Sequence, residues 1–208
     1  MKIVIATKNK GKIKEIKSFF ANLPEVEWLT CQDFESFPDI DEGNISFIEN
    51  ATLKAKLISE FTNTVTLADD SGLVVDALYG EPGIKSSRYA GENATDEENR
   101  QKLLGELGDR NSLKDRTARF VCEMILWHPV KGLLKISSGV CEGCIGFTEK
   151  GSGGFGYDSI FIPSDYYNKS MAELSQNEKN VISHRGKALK NLKNFLSLNV
   201  STTDNNIA

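Results

Sequence analysis

Residues 65–68, Val-Thr-Leu-Ala, form an apolar run of β-type that leads directly into Asp69-Asp70-Ser71-Gly72, with no spacer between the hydrophobic side chains and the two carboxylates. Carboxylates closing an apolar strand are costly unless something cationic sits beside them. Paired carboxylates at a strand end suit a hard divalent cation such as magnesium, which takes oxygen ligands and is usually shared with substrate phosphates. Asp, Ser and Gly also favour turns, and a plain turn ending the strand is the competing reading. Because neighbouring strand residues face opposite ways, Asp69 and Asp70 should not share one role.

With 208 residues, 39% hydrophobic and 26% charged, the chain has enough material for a full core in one domain, residues 1–198, followed by a polar tail over 199–208. A net charge of -4 argues against a broad nucleic-acid surface, so no nucleic-acid partner is expected and any basic site must be local. The opening apolar run, residues 3–6, is far too short for a signal-peptide core, and no stretch approaches a membrane span. A cytoplasmic protein without a membrane partner is the expectation. Cys141 and Cys144 have the CxxC spacing of zinc or redox sites, but no second CxxC or histidine pair accompanies them and their surroundings read as a strand, which favours plain reduced thiols.

Periodicity predicts a strand over residues 1–7, then a helix over 12–23 with Ile13, Ile16, Phe19, Phe20 and Leu23 on one face. Ser46 with Glu49, Thr95 with Glu98, and Ser175 with Glu178 have the form of capping boxes, and predict helices running to about Phe61, Gly108 and Leu198. Alternation predicts strands over 117–127, 133–140 and 158–162. Strands mixed with helices, including a meander through 117–162, indicate an α/β fold around a mixed sheet.

Several segments carry chemistry. Thr7-Lys8-Asn9-Lys10-Gly11-Lys12 joins the first strand to the first helix, where free N–H groups and the helix dipole favour an anion. It lacks the Walker A spacing and reads as a generic phosphate cradle or an exposed basic loop. Residues 151–156 match GxGxxG, but a strand-like stretch follows them instead of a helix, so the dinucleotide reading fails. The glycines beside Phe155 would admit a flat ligand against its ring. Ser183-His184-Arg185-Gly186 interrupts a helical stretch with two side chains suited to directional hydrogen bonds, Arg185 toward a keto oxygen or phosphate. Glu42 could reach a metal and Lys54 a phosphate, although surface charge is the plainer reading of both.

Taken together, residues 7–12, Phe-Ile-Glu-Asn-Ala-Thr-Leu-Lys at 47–54, Leu-Ala-Asp-Asp-Ser-Gly-Leu at 67–73, Arg-Tyr-Ala-Gly at 88–91, Phe-Gly-Tyr-Asp at 155–158, and Lys179 with Ser-His-Arg at 183–185 resemble the inosine triphosphate pyrophosphatase family. The resemblance implies an elongated mixed sheet in two lobes around a central cleft, a homodimer, and magnesium-dependent release of pyrophosphate from noncanonical purine nucleoside triphosphates (ITP, dITP, XTP). By position it implies that Asp70 is the proton acceptor and a metal ligand, with Glu42 the second metal carboxylate. Thr7, Lys8, Asn9, Lys10, Gly11, Lys12, Lys54, Ser71 and Lys179 are implied as substrate contacts, and Phe155, Gly156, Tyr157, Asp158, His184 and Arg185 as the purine-recognition group. Hypoxanthine and xanthine carry a 6-keto acceptor where adenine has an amino donor, so a donor such as Arg185 would reward the former. Guanine shares that keto group, so its rejection must occur around C2. Two positions depart from the family: Ser159 replaces the usual proline after the Phe-Gly-Tyr-Asp motif, which predicts a looser loop, and Lys85 stands where bacterial members commonly carry tyrosine. A nucleotide sensor that does not cleave, and a Maf-like pyrophosphatase acting on modified pyrimidines, are the alternatives. Ser183-His184-Arg185 favours the purine family.

Overall fold

The structure is a computed structural model that describes residues 1–23, 25–40, 43 and 45–200. Strand β1 (Lys2–Ile5) leads into helix α1 (Lys10–Phe19), strand β2 (Glu27–Leu29), helix α2 (Phe47–Thr62) and strand β3 (Thr66–Val75). Helix α3 (Asp96–Leu107), strands β4 (Thr117–His128), β5 (Gly132–Ile145) and β6 (Phe161–Pro163), and helices α4 (Gln176–Ile182) and α5 (His184–Val200) follow. The strands form one six-stranded sheet in the order β2-β1-β3-β4-β5-β6. Its β2-β1-β3 side is parallel and its β5–β6 edge antiparallel, which makes the sheet mixed, as the sequence pattern predicts.

Residues 69–72 do not end their strand. β3 runs through Asp69, Asp70, Ser71 and Gly72 to Val75, so neither a strand end nor a turn describes the acidic pair. The continuation is possible because lysines meet both carboxylates, removing the charge that would otherwise force the chain out to water. β5 likewise extends five residues past the predicted end at Val140 and carries both CxxC cysteines. β6 is shorter than predicted, because residues 155–160 are taken up by turns.

The helix ends follow their caps. Thr95 and Ser175 close full capping boxes with Glu98 and Glu178, whereas at Ser46 the Glu49 carboxylate accepts from the serine hydroxyl and not from its backbone N–H. α1 begins two residues earlier than its periodicity indicates, because Asn9 caps it through a bond from the Lys12 N–H. Ser183 breaks the last helical stretch into α4 and α5 by adopting extended backbone geometry.

By its contacts the chain divides into two compact units. One comprises Met1–Asp70, Glu123–Ser138 and the segment from Ala188 onward. Its core packs Ala51, Ala55 and Ile58 of α2 against Val4, Ala6, Ala68 and Ile125 of the sheet. The other comprises Ser71–Cys122 and Gly139–Lys187, with a core of Leu73, Val75, Leu103, Leu107, Phe120, Ile145, Ile160 and Phe161 among others. No helix among the described residues is long and apolar enough to cross a membrane.

The CxxC pair lies on an extended strand, where residues three apart face opposite sides. Burial pushes the Cys141 thiol up to about 12 and also raises that of Cys144. Since the thiolate is the nucleophile, only about one Cys141 in 10⁴ is reactive at pH 8. Iodoacetamide at that pH is expected to leave Cys141 unmodified in the native protein while alkylating it fully in denaturant, as read by peptide mass.

Candidate active site

The first unit carries the acidic pair. Asp69 and Asp70 are 2% and 6% exposed, on opposite faces of β3, and each meets a different lysine. Lys12, from the first turn of α1, pairs with the Asp69 carboxylate. Lys54 lies on the face of α2 that also buries Ala51, Ala55 and Ile58, and its Nζ donates to Asp70 Oδ1 at 3.1 Å and to the Asp69 carbonyl at 3.0 Å. Asn50, one turn earlier on that face, donates from Nδ2 to Asp70 Oδ2 at 3.1 Å. Removing one partner of such a buried pair typically costs about 3–5 kcal/mol, so these lysines hold the strand as well as its charge.

Asn50 is the residue that sequence reading passed over. Its signal was present, since a carboxamide four residues before Lys54 shares that lysine's helical face. Of the predicted phosphate loop, Thr7 Oγ1 accepts from the Asn9 N–H and Asn9 Oδ1 from the Lys12 N–H, while Lys8 pairs with the exposed Asp39. Lys10 and Gly11 open α1, where the dipole still favours an anion. The loop is thus half-built by its own side chains, and Lys12 is committed to Asp69.

A metal at Asp70 fits what is present. Asn50 and Lys54 orient the Asp70 carboxylate, an oxygen donor of the kind a hard divalent cation takes. Among the described residues no group of three or more His, Cys, Asp or Glu converges. Glu42, the other predicted metal carboxylate, lies outside the described residues.

The second unit carries the remaining predicted residues. Phe155, Gly156, Tyr157 and Asp158 form a turn in which Asp158, buried, accepts from the Phe155 N–H at 3.0 Å and from Lys179 Nζ at 2.7 Å through the same oxygen. The Phe155 ring has Lys179 Nζ 5.4 Å and Arg185 Cζ 5.7 Å from its centroid, within cation–π range. Arg185 Nη2 donates to Ser71 Oγ at 2.7 Å. His184 opens α5, and its imidazole stacks on Phe120 of β4 at 4.7 Å and 14°. Tyr157 turns into the core, where its hydroxyl donates to the Ser86 carbonyl at 2.8 Å and burial raises its pKa.

Two glycines make this geometry possible. Gly154 sits at φ +78°, and a Cβ there would lie 2.0 Å from Asp158 Oδ2. A Cβ at Gly186 would lie 2.0 Å from the Asn180 carbonyl, so only glycine lets α5 start this close to α4 and carry His184 and Arg185 where they are. The Ser159 departure does not leave its segment untied. The Ser159 hydroxyl donates to Glu149 Oε2 at 2.9 Å, and Glu149 pairs with Arg100 at 2.9 Å. Burial raises the Glu149 carboxyl, but these bonds outweigh it and hold the group below its ordinary value. Lys85 is exposed, on the 3₁₀ turn Gly83–Arg88.

The model of the Ham1 family matches residues 3–195. The dITP/XTP pyrophosphatase of Oceanobacillus iheyensis is 50% identical across 94% of this chain and 98% of its own length, and that of Geobacter sulfurreducens 46% across 94% and 96%. The solved Ham1 protein of Coxiella burnetii superposes with a TM-score of 0.84 at 41% identity, covering 95% of this chain and 99% of its own. That of Staphylococcus aureus gives 0.83 at 41%, covering 96% and 100%. With the motif resemblance, the α/β fold and these matches in agreement over nearly its whole length, the chain belongs to the Ham1 family.

Proposed function

We propose that the protein is a nucleoside-triphosphate pyrophosphatase that converts ITP, dITP and XTP into the nucleoside monophosphate and pyrophosphate, with magnesium as cofactor. The observation that carries this reading is the buried Asp70 carboxylate held between Lys54 and Asn50 on β3, in a chain half identical to a relative named for dITP and XTP cleavage. The purine-recognition set, Phe155 with Asp158, Lys179 and Arg185, supports the choice of base. Action as a homodimer in the cytoplasm belongs to the same proposal and rests on the family resemblance.

In this mechanism Asp70 accepts the proton of the water that attacks the α-phosphorus, as the bond from that phosphorus to the β-phosphate oxygen breaks and pyrophosphate leaves. Lys54 orients the Asp70 carboxylate, and with the basic start of α1 offsets phosphate charge. Asp70 and Glu42 would hold magnesium, which when bound neutralises and polarises the triphosphate. Arg185 donates to the 6-keto oxygen, and the Phe155 ring takes the purine face.

Phosphorus NMR of XTP incubated with the purified protein and magnesium tests the reaction type. Equal amounts of monophosphate and pyrophosphate are expected, ceasing with EDTA and returning with added magnesium. Orthophosphate with XDP would show cleavage at a different bond and overturn the reading.

A further inference from the structure

One residue of the recognition turn is gripped on both sides of its backbone by a single helix. Asp96 and Arg100 stand one turn apart at the start of α3. Asp96 Oδ2 accepts from the Gly156 N–H at 2.7 Å, and Arg100 Nη1 donates to the Gly156 carbonyl at 2.8 Å. Arg100 also pairs through Nε with Glu149, which accepts from Ser159 on the other side of the turn. The turn is therefore braced at Gly156 directly and at Ser159 through Glu149, both braces meeting at Arg100. α3 and the turn line a pocket of about 240 Å³.

The geometry points to Asp96 and Arg100 as positioning residues for base recognition. Glycines at 151, 153, 154 and 156 give this segment unusual freedom to lose on ordering. Phe155 precedes the gripped residue, and Asp158, the anchor for Lys179, follows two positions later. By holding Gly156, α3 orders the turn before substrate arrives, so binding does not have to supply that ordering. Neither side chain needs to touch substrate, and the effect falls on the affinity for the base and not on the chemistry at phosphorus. Ser159, which departs from the family's proline, joins the same brace through its hydroxyl.

This inference rests on the proposed purine-triphosphate activity, and the test separates the two. Steady-state kinetics with XTP are combined with hydrogen–deuterium exchange of the peptide spanning 151–160 in the purified full chain. R100A is expected to raise KM about tenfold with kcat within about twofold, because uniform binding is lost while the transition-state contacts remain. R100K, which restores a cation and a donor but not the fork that reaches Gly156 and Glu149 together, should fall between R100A and the wild type in KM. D96A should raise KM about fivefold, while D96N, whose amide oxygen can still accept the Gly156 N–H, should stay near the wild-type value. Both alanine variants should speed exchange over 151–160 and leave the strands of their unit protected. KM and exchange matching the wild type would overturn the inference. So would a fall in kcat at fixed KM, or exchange rising evenly over Ser71–Cys122 and Gly139–Lys187, since these indicate chemistry or general stability instead. If the wild type cleaves none of XTP, dITP and ITP the proposed function fails, and the exchange measurement alone still decides whether α3 orders the turn.

Discussion

Asp70→Asn is expected to lower kcat/KM for XTP by about 10³-fold or more, because in the proposed mechanism the substitution removes the proton acceptor and a metal carboxylate at once. Asparagine keeps nearly the same shape and its oxygen can still accept from Lys54 or Asn50, so the variant should fold with a loss of about 3 kcal/mol, comparable to that of Asp69→Asn. Asp69→Asn provides the contrast. It leaves the Lys12 ammonium facing an uncharged partner in a largely buried setting, which should cost about 3 kcal/mol of stability. Its turnover should nevertheless stay within about tenfold of the wild type, since its side chain faces away from that of Asp70. Pyrophosphate release assayed beside urea unfolding separates the two outcomes. Loss of turnover in Asp69→Asn with Asp70→Asn active would reverse the assignment.

Gly154→Ala is expected to lower kcat/KM for XTP by about 10²-fold, through displacement of a group that the substitution does not itself remove. The backbone there sits at φ +78°, where any side chain is strained by about 1–2 kcal/mol. More severe is the overlap with Asp158 Oδ2, 2.0 Å from the new carbon, which is the oxygen that accepts from both Lys179 and Phe155. Either that carboxylate or the turn must move, and the Phe155 ring moves with it. Gly132→Ala isolates the backbone contribution, since Gly132 has φ +80° and its Cβ would approach no atom closer than 3.8 Å. A larger loss of stability in Gly154→Ala than in Gly132→Ala, with activity lost only in Gly154→Ala, is the predicted pattern in paired thermal melts and kinetics. Equal activity in the two would remove the Asp158 anchor from the account.

What could be read before the structure depended on how local each signal was. The helices were legible because Thr95, Ser175 and Ser46 announce their starts within four residues, and the mixed α/β sheet followed from the alternating segments. The extent of the strands was not. Asp69 and Asp70 look like a stop signal until Lys12 and Lys54 are brought to them, and those lysines stand 57 and 16 residues away. β2 escaped because three residues, Glu-Trp-Leu, are too few to alternate visibly, and its place in the sheet comes from parallel pairing with β1. The site divides along the same line. Lys54, Asp158, Lys179, His184 and Arg185 were named by motif, whereas their partners Asn50 and Phe120 and the supports Asp96 and Arg100 were not. Asp96 and Arg100 reach Gly156 across 60 and 56 residues, and nothing in the spacing of a capped helix foretells which carbonyl its arginine will find.

We propose above all that this chain cleaves the noncanonical 6-keto purine triphosphates XTP, dITP and ITP and spares ATP. The most direct test of this proposal is kcat/KM for XTP, dITP and ITP against ATP under identical magnesium, measured by pyrophosphate release from the purified protein. A site whose buried donor pairs with the keto oxygen should favour at least one of the three over ATP by about 10³-fold or more. Equal turnover of ATP and all three would contradict the account.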